Sequence, residues 1–163
     1  MEQILQQVSS SKRLSLLDGF SGYNQVLMSP LDQLKTNFYT PWGTYAYRKM
    51  PFGLINTGAT FHRAMDITFW GLINQSVVVY LDDVTVFSKN KEDHLAHLWS
   101  ILQRCHKYSI SLNPKKSIFA VEQGKLLGFI VSSKGMIIDP ERTQVISKLP
   151  PPSSKKSMQS FLG

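Results

Sequence analysis

Tyr80-Leu81-Asp82-Asp83 lies between two apolar, β-branched runs, Ser76-Val77-Val78-Val79 before it and Val84-Thr85-Val86-Phe87 after it. Two neighbouring carboxylates are a poor choice for a core. Residues 76–81 and 84–88 each predict a strand, and the Asp pair suits the two central positions of a tight hairpin turn. The acids then sit at a tip. Taken alone, the stretch reads equally well as an ordinary Asp-containing hairpin and as a metal site. Asp18 shifts the balance: it ends a similar apolar stretch, Leu14-Ser15-Leu16-Leu17, and is followed by Gly19, where a strand should stop.

Three carboxylates brought together repel one another, and burial raises their pKa values, so as anions they need cations among them. Hard oxygen donors select magnesium or manganese over zinc. Two such ions roughly 3.5–4 Å apart activate an attacking hydroxyl and stabilise the leaving oxygen of a phosphoryl transfer. This is nucleotidyl transfer chemistry.

Around the acids stand further motifs, Leu17-Asp18-Gly19-Phe20-Ser21-Gly22-Tyr23 and Met50-Pro51-Phe52-Gly53-Leu54 before the Asp pair and Leu112-Asn113-Pro114-Lys115-Lys116-Ser117 after it. In this order the series resembles a reverse transcriptase of the gypsy-type LTR retrotransposons, in particular the plant-like members, at the palm region of the Pol polyprotein. The resemblance runs through nearly the whole chain. A lone Asp-Asp is weak evidence, whereas the ordered series is specific.

The resemblance implies roles residue by residue. Asp18, Asp82 and Asp83 are the catalytic and metal-binding acids, with Gly19 beside them, and the cofactor is a pair of Mg2+ ions, with Mn2+ as a substitute. Phe20, Ser21, Gly22, Tyr23, Phe52, Gly53 and Lys116 face the dNTP, and the turn 19–22 offers backbone N–H groups to its triphosphate. Tyr23 is the sugar gate that excludes a ribose 2′-hydroxyl, Gly53 admits close backbone approach, and Lys116 reaches the triphosphate. Leu127-Gly128-Phe129 is the primer grip. The chain departs from the broad pattern at Gly58, where many members have proline, at His62, where glutamine is usual, and at Ser117, where cysteine is usual.

One hundred and sixty-three residues with 42% hydrophobic and 18% charged content make a single globular domain. No apolar run is long enough to span a bilayer, and a single cysteine, Cys105, excludes an internal disulfide and fits a reducing compartment. The expected location is intracellular, and by resemblance cytoplasmic, within virus-like particles. Lysine and arginine number 18 against 11 acids, for a net charge of +7. A phosphate backbone is the natural partner of such a chain.

Periodicity predicts helices over residues 2–8, from Asn56 or Thr57 through Phe61, Met65, Phe69 and Leu72, and from Asn90 or Asp93 to about Tyr108 with Leu95, Leu98, Leu102 and Cys105 buried. Tyr23 to Met28 alternates like a strand. Hairpins are expected over 36–40 and 44–49 and over 125–131 and 135–139. Asp139 caps a helix that begins at Pro140 and runs to about Leu149, Pro150-Pro151-Pro152 halts it, and a further helix begins after 153. His94 and His97 are structural, since no further zinc ligand has suitable spacing.

The expected fold class is α+β: an antiparallel palm sheet with helices on one face and the acids at one sheet edge, residues 1–139 being palm with partial fingers and 140–163 the start of a thumb. Partners implied are an RNA or DNA template with primer, dNTPs, and the remainder of the Pol polyprotein, ribonuclease H and integrase. The function implied is RNA-directed DNA polymerase. The alternative is a degenerate palm that binds nucleic acid or a partner without catalysis.

Overall fold

The computed structural model describes residues 2–149 and 151–162. Helix α1 (Glu2–Val8) leads into strand β1 (Arg13–Asp18). A 3-10 turn (Gly22–Gln25), the short α2 (Pro30–Gln33) and the hairpin β2 (Phe38–Thr40) with β3 (Gly43–Tyr45) precede α3 (Thr57–Thr68). Then come β4 (Val77–Tyr80), β5 (Asp83–Ser88), α4 (His94–Lys107), β6 (Ile118–Val121) and a meander of β7 (Gln123–Leu126), β8 (Phe129–Ser132) and β9 (Gly135–Ile138). Helices α5 (Pro140–Lys148) and α6 (Lys155–Leu162) follow. No helix among the described residues is long and apolar enough to cross a membrane.

The palm sheet is antiparallel with strand order β4-β5-β1-β6. Because side chains alternate across a strand, it serves two cores. On one face Leu17, Val84, Val86, Val77 and Val79 meet Phe61, Met65 and Phe69 from the α3 region and Ile101 and Cys105 of α4. Each fully buried side chain of this kind contributes about 1.5–3 kcal/mol. On the other face Leu14, Val78 and Phe87 meet Leu5 and Val8 of α1 and Leu126 and Val131 of the meander. α3 and α4 therefore cover one face, as expected, while α1 and the three-stranded sheet close the other.

Several expectations are corrected in detail. The two central turn residues are Leu81 and Asp82, with Leu81 at φ 52°, and Asp83 is the first residue of β5, paired with Tyr80. This turn keeps Val79 opposite Val84, where both reach the same core. Tyr23 lies in the 3-10 turn rather than a strand, α3 ends at Thr68 so that Phe69 closes it and Leu72 lies beyond, and Leu127-Gly128 form the β7–β8 turn. In α4 the buried residues are His94, Ile101 and Cys105, whereas Leu95 is exposed: the inward stripe starts one residue earlier than the leucines suggested. Asp139 caps α5 as expected, accepting from the Glu141 N–H at 3.1 Å. Of the proline stop, Pro150 lies outside the described residues, as does Gly163 at the end of the last helix.

Candidate active site

β1 and β5 are the two central strands of the sheet, and their ladder ends on the pair Asp18 and Asp83. Residues directly opposite in an antiparallel pair share a face, so these carboxylates are neighbours. Asp82 follows in the turn, and its backbone carbonyl accepts from the Gly19 N–H at 3.1 Å, locking the two acid-bearing segments together. The acids thus gather at one end of the central strands rather than along an outer edge.

Their side chains divide. Asp18 and Asp83 line a small cavity of about 120 Å³ with Thr85, Lys116, Lys125 and Leu126. Lys116 Nζ lies 3.9 Å from Asp18 Oδ2, while Lys125 is occupied by Asp139 at 3.1 Å and Glu141 at 2.6 Å. The carboxylate of Asp82 turns to the other side, against Gly22, where a Cβ would stand 2.5 Å from its Oδ1. Only a residue without a side chain fits there, and Gly22 is also at positive φ, 21°.

The electrostatics are those of acids short of cations. Burial, then the charges of Asp83 and Asp18, push the Asp82 carboxyl above the usual carboxylate range. For Asp83 desolvation and the Asp18 charge act in the same direction, and Lys116 opposes them. Oδ1 of Asp82 is buried with no hydrogen-bond partner among the described residues. Carboxylate oxygens, one of them orphaned, are donors of the kind a hard divalent ion takes, but the Asp82 carboxylate lies against Gly22 and does not line the cavity of Asp18 and Asp83. Among the described residues, no three His, Cys, Asp or Glu side chains converge as a ready-made cage.

Of the residues expected at the nucleotide, Phe52 packs on Tyr23, whereas Lys116 lies in the Asp18–Asp83 cavity and Gly53 borders a separate groove. The Tyr23 ring meets Phe52 edge-on at 5.1 Å between centroids and Phe61 at 5.2 Å. Phe52 is 62% exposed, so it presents a free ring beside the half-buried tyrosine. Gly53, at φ 92°, has nothing within 4 Å of where a Cβ would be and borders a groove of about 650 Å³ with Val26, Met28, Met50 and Leu54.

Two expectations differ. In the turn 19–22 the N–H groups of Gly19 and Phe20 already donate to Asp82 O and Ser111 O, at 3.1 and 2.9 Å, so those two do not face outward as a phosphate nest. At Gly128, where a primer grip would let the primer backbone come close, the near neighbour is the Arg142 guanidinium of α5. Leu127 and Phe129 are half-buried and pack against the meander core.

Two further residues shape the site, Gln25 with no motif signal of its own and Ser117 as the departure at the end of the Leu112–Ser117 motif. Gln25 donates from Nε2 to Phe20 O at 2.6 Å and Ser111 O at 3.0 Å, and accepts from Ser111 N at 2.6 Å. Ser117 accepts from the Asp18 N–H at 3.2 Å and donates to Asn113 O at 2.7 Å, so the serine in place of cysteine is tied to the first acid's backbone. His62, by contrast, reaches only Asp66 on the exposed side of α3, at 3.1 Å.

Residues 1–131 match the reverse transcriptase (RNA-dependent DNA polymerase) family. The chain belongs to that family. Over 160 residues it is 36% identical to the Retrovirus-related Pol polyprotein from transposon gypsy of Drosophila melanogaster, covering 98% of this chain and 16% of that protein. The corresponding polyprotein from transposon opus is also 36% identical, over 159 residues, with the same coverages. The enzymatic polyprotein of Cauliflower mosaic virus (strain Strasbourg) is 34% identical over 163 residues, with 99% and 24% coverage. This is therefore a gypsy-type reverse transcriptase region, spanning about one sixth to one quarter of those relatives.

The fold agrees. A foamy viral protease-reverse transcriptase in complex with double-stranded DNA superposes with a TM-score of 0.88 at 22% identity, over 99% of this chain and 28% of that one. The same enzyme in complex with an RNA/DNA hybrid gives 0.84 at 22%, over 98% and 22%. Both place the reverse transcriptase fold on this α+β arrangement.

Proposed function

We propose that this region is the catalytic palm of an RNA-directed DNA polymerase, joining a dNTP to a primer 3′-hydroxyl on an RNA or DNA template. The observation that carries this is the pairing of Asp18 with Asp83 at the strand ends, with Asp82 beside them in the turn. Asp18, Asp82 and Asp83 would hold two magnesium ions, or manganese. When bound, such ions supply activation of the hydroxyl and charge stabilisation at the transferred phosphoryl.

The chain's own residues do the rest. The new bond joins the primer 3′-oxygen to the α-phosphorus, the bond from that phosphorus to the pyrophosphate oxygen breaks, and Lys116 stands ready to give the leaving pyrophosphate a proton. Tyr23, backed by Phe52 and Phe61, fills the space a ribose 2′-hydroxyl needs. Gly53 and Phe52 bound the nucleotide on the open side, and the β7–β8 turn at Leu127-Gly128-Phe129, its glycine against Arg142 and its flanking side chains in the meander core, is left to meet the primer with its backbone. Residues 1–139 act as palm with partial fingers and 140–163 as the start of a thumb. Ribonuclease H and integrase are the expected neighbours in the polyprotein, and cytoplasmic virus-like particles the expected location.

Primer extension on an RNA template with magnesium tests this directly. The comparison sets this chain beside a longer polyprotein segment and the Asp82→Asn variant of each. Extension by the longer wild type, abolished in its variant, is the expected result. Extension that survives the substitution overturns the assignment, and salt-sensitive nucleic-acid binding without extension in either length leaves the palm as a binding module.

A further inference from the structure

His94 opens α4 yet is only 4% exposed, and its ring is the middle of a chain of hydrogen bonds. Ser15 Oγ on β1 lies 2.8 Å from Nε2, and Ser88 Oγ at the end of β5 lies 2.9 Å from Nδ1. The same Ser88 oxygen is 2.8 Å from Nδ1 of His97. From β6 the Ala120 N–H donates to Ser15 Oγ at 3.0 Å, at the point where the β1–β6 ladder shifts register and Ala120 takes φ 51°. Three strands of the palm sheet are thereby tied to one helix.

Donor and acceptor capacity gives this chain a direction. A serine hydroxyl has one hydrogen to give, and a neutral imidazole carries one N–H. Ser15 Oγ accepts from Ala120, and among the described residues Nε2 of His94 is the one hydrogen-bond partner that can take the Ser15 hydrogen, so that nitrogen is the acceptor and unprotonated. The ring proton sits on Nδ1 and is donated to Ser88, whose hydroxyl in turn donates to His97. Run the other way, the chain leaves the fully buried Ser15 hydroxyl with a hydrogen and no acceptor.

We propose that His94 is a positioning residue for the carboxylate site: as a neutral imidazole carrying its proton on Nδ1 it braces β1 against β5, β6 and α4, and acid releases the brace. Ser15 is three residues before Asp18, on the strand whose register with β5 sets Asp18 opposite Asp83. The inference rests on the polymerase proposal only for what the brace serves.

Acid sensitivity follows from what surrounds the ring. A second proton would turn Nε2 into a donor facing Ser15 and strand that serine's own hydrogen. The titratable groups that act on His94 are the neighbouring His97 on α4 and the Arg13 guanidinium on β1; Ser88 and Ala120 bring no charge, and Glu122 is engaged by Arg13 at 3.2 Å and Lys91 at 2.9 Å. Burial, then His97 and Arg13, hold the His94 pKa below its ordinary 6.5. The unfolded chain therefore takes up the proton first, and the stability the brace gives is complete above the unfolded pKa and lost as pH falls through the lower folded one.

With four histidines in the chain, long-range 1H–15N spectra of 15N-histidine-labelled protein resolve each tautomer. The expected result is an Nδ1–H tautomer for His94 at pH 7.5, and protonation of that ring at a lower pH in the folded chain than in the urea-unfolded chain. An Nε2–H tautomer, or protonation of the folded chain's His94 at the same or a higher pH than in the unfolded chain, overturns the proposal whether or not the region polymerises. In a polymerising longer segment, His94→Gln should shift the acid limb of the pH–rate profile while the dNTP KM stays within about twofold, as expected for a group outside the nucleotide site. An unmoved acid limb rules out the positioning role, and absence of polymerisation in the wild-type segment counts against the proposed function instead.

Discussion

Asp18 on β1 stands opposite Asp83 on β5 at the last rung of their ladder, so two like charges share one face with a third acid one residue away. A divalent ion that binds the folded chain and not the unfolded one stabilises it by mass action, about 2.7 kcal/mol at a hundredfold excess over Kd. For a domain of this size that corresponds to a rise in Tm of about 5–10 °C. Magnesium or manganese should produce this rise in calorimetry, and Asp18→Asn or Asp82→Asn should remove most of it. An equal rise in both variants would show that the ion binds elsewhere.

Without divalent ions the same crowding sets a pH dependence. The Asp82 and Asp83 pKa values are raised on folding, so between the unfolded and folded values the folded chain binds more protons. Stability therefore falls as pH rises through that window, and above it the full cost of the paired anions remains. Asp82→Asn should be more stable than wild type at pH 7 in a chelated buffer, with the advantage shrinking as pH drops through the carboxylate range. Denaturant midpoints at pH 7 and pH 4 measure it, and an advantage that grows at low pH contradicts the sign.

Tyr23 touches Phe52 and Phe61 edge-on, and each such pair contributes about 0.5–1.5 kcal/mol beyond area burial. Tyr23→Phe keeps both rings in place and should change stability by less than about 1 kcal/mol, with sugar selection intact. Tyr23→Val removes the ring, costs stability, and should narrow the preference for dNTP over rNTP by about tenfold or more, a change of about 1.4 kcal/mol. Incorporation of each sugar by a polymerising longer segment is the measurement. Unchanged discrimination in Tyr23→Val removes the residue from the gate.

The acid-bearing elements were legible because they rest on local signals: a β-branched run on each side of Tyr80-Leu81-Asp82-Asp83, and an apolar run stopped by Asp18-Gly19. Their meeting follows from β1 lying beside β5, which the ordered motifs implied and periodicity did not. What stayed hidden depends on contacts between distant segments. The inward face of α4 is set by His94 reaching Ser15 and Ser88, and polar anchoring of this kind cannot be read from a leucine stripe. The N–H groups of Gly19 and Phe20 looked free because their acceptors, Asp82 and Ser111, lie far along the chain. Gly128 likewise makes room for Arg142, a long-range neighbour.

Gln25 is the sharpest case of a residue visible only in three dimensions, since a glutamine in a polar turn carries no pattern. Its amide spans Phe20 and Ser111 with three hydrogen bonds of 2.6, 3.0 and 2.6 Å, joining the turn after Asp18 to the segment that leads into Asn113. Asn113 N donates in turn to Asp18 O at 2.8 Å, so Gln25 and Asn113 clamp both sides of the first acid. At about 1 kcal/mol net for each bond, discounted because the site is exposed, Gln25→Ala should cost about 1–2 kcal/mol of stability. Gln25→Glu keeps the acceptor for Ser111 N but loses both amide donors, and its charge lies near the carbonyls they served. It should therefore destabilise at least as much as alanine at pH 7, and less once the carboxyl is protonated. Amide exchange at Ser111, whose N–H depends on Gln25, should rise in Gln25→Ala and remain protected in wild type. Fast exchange at Ser111 in the wild-type chain would mean that the clamp does not form.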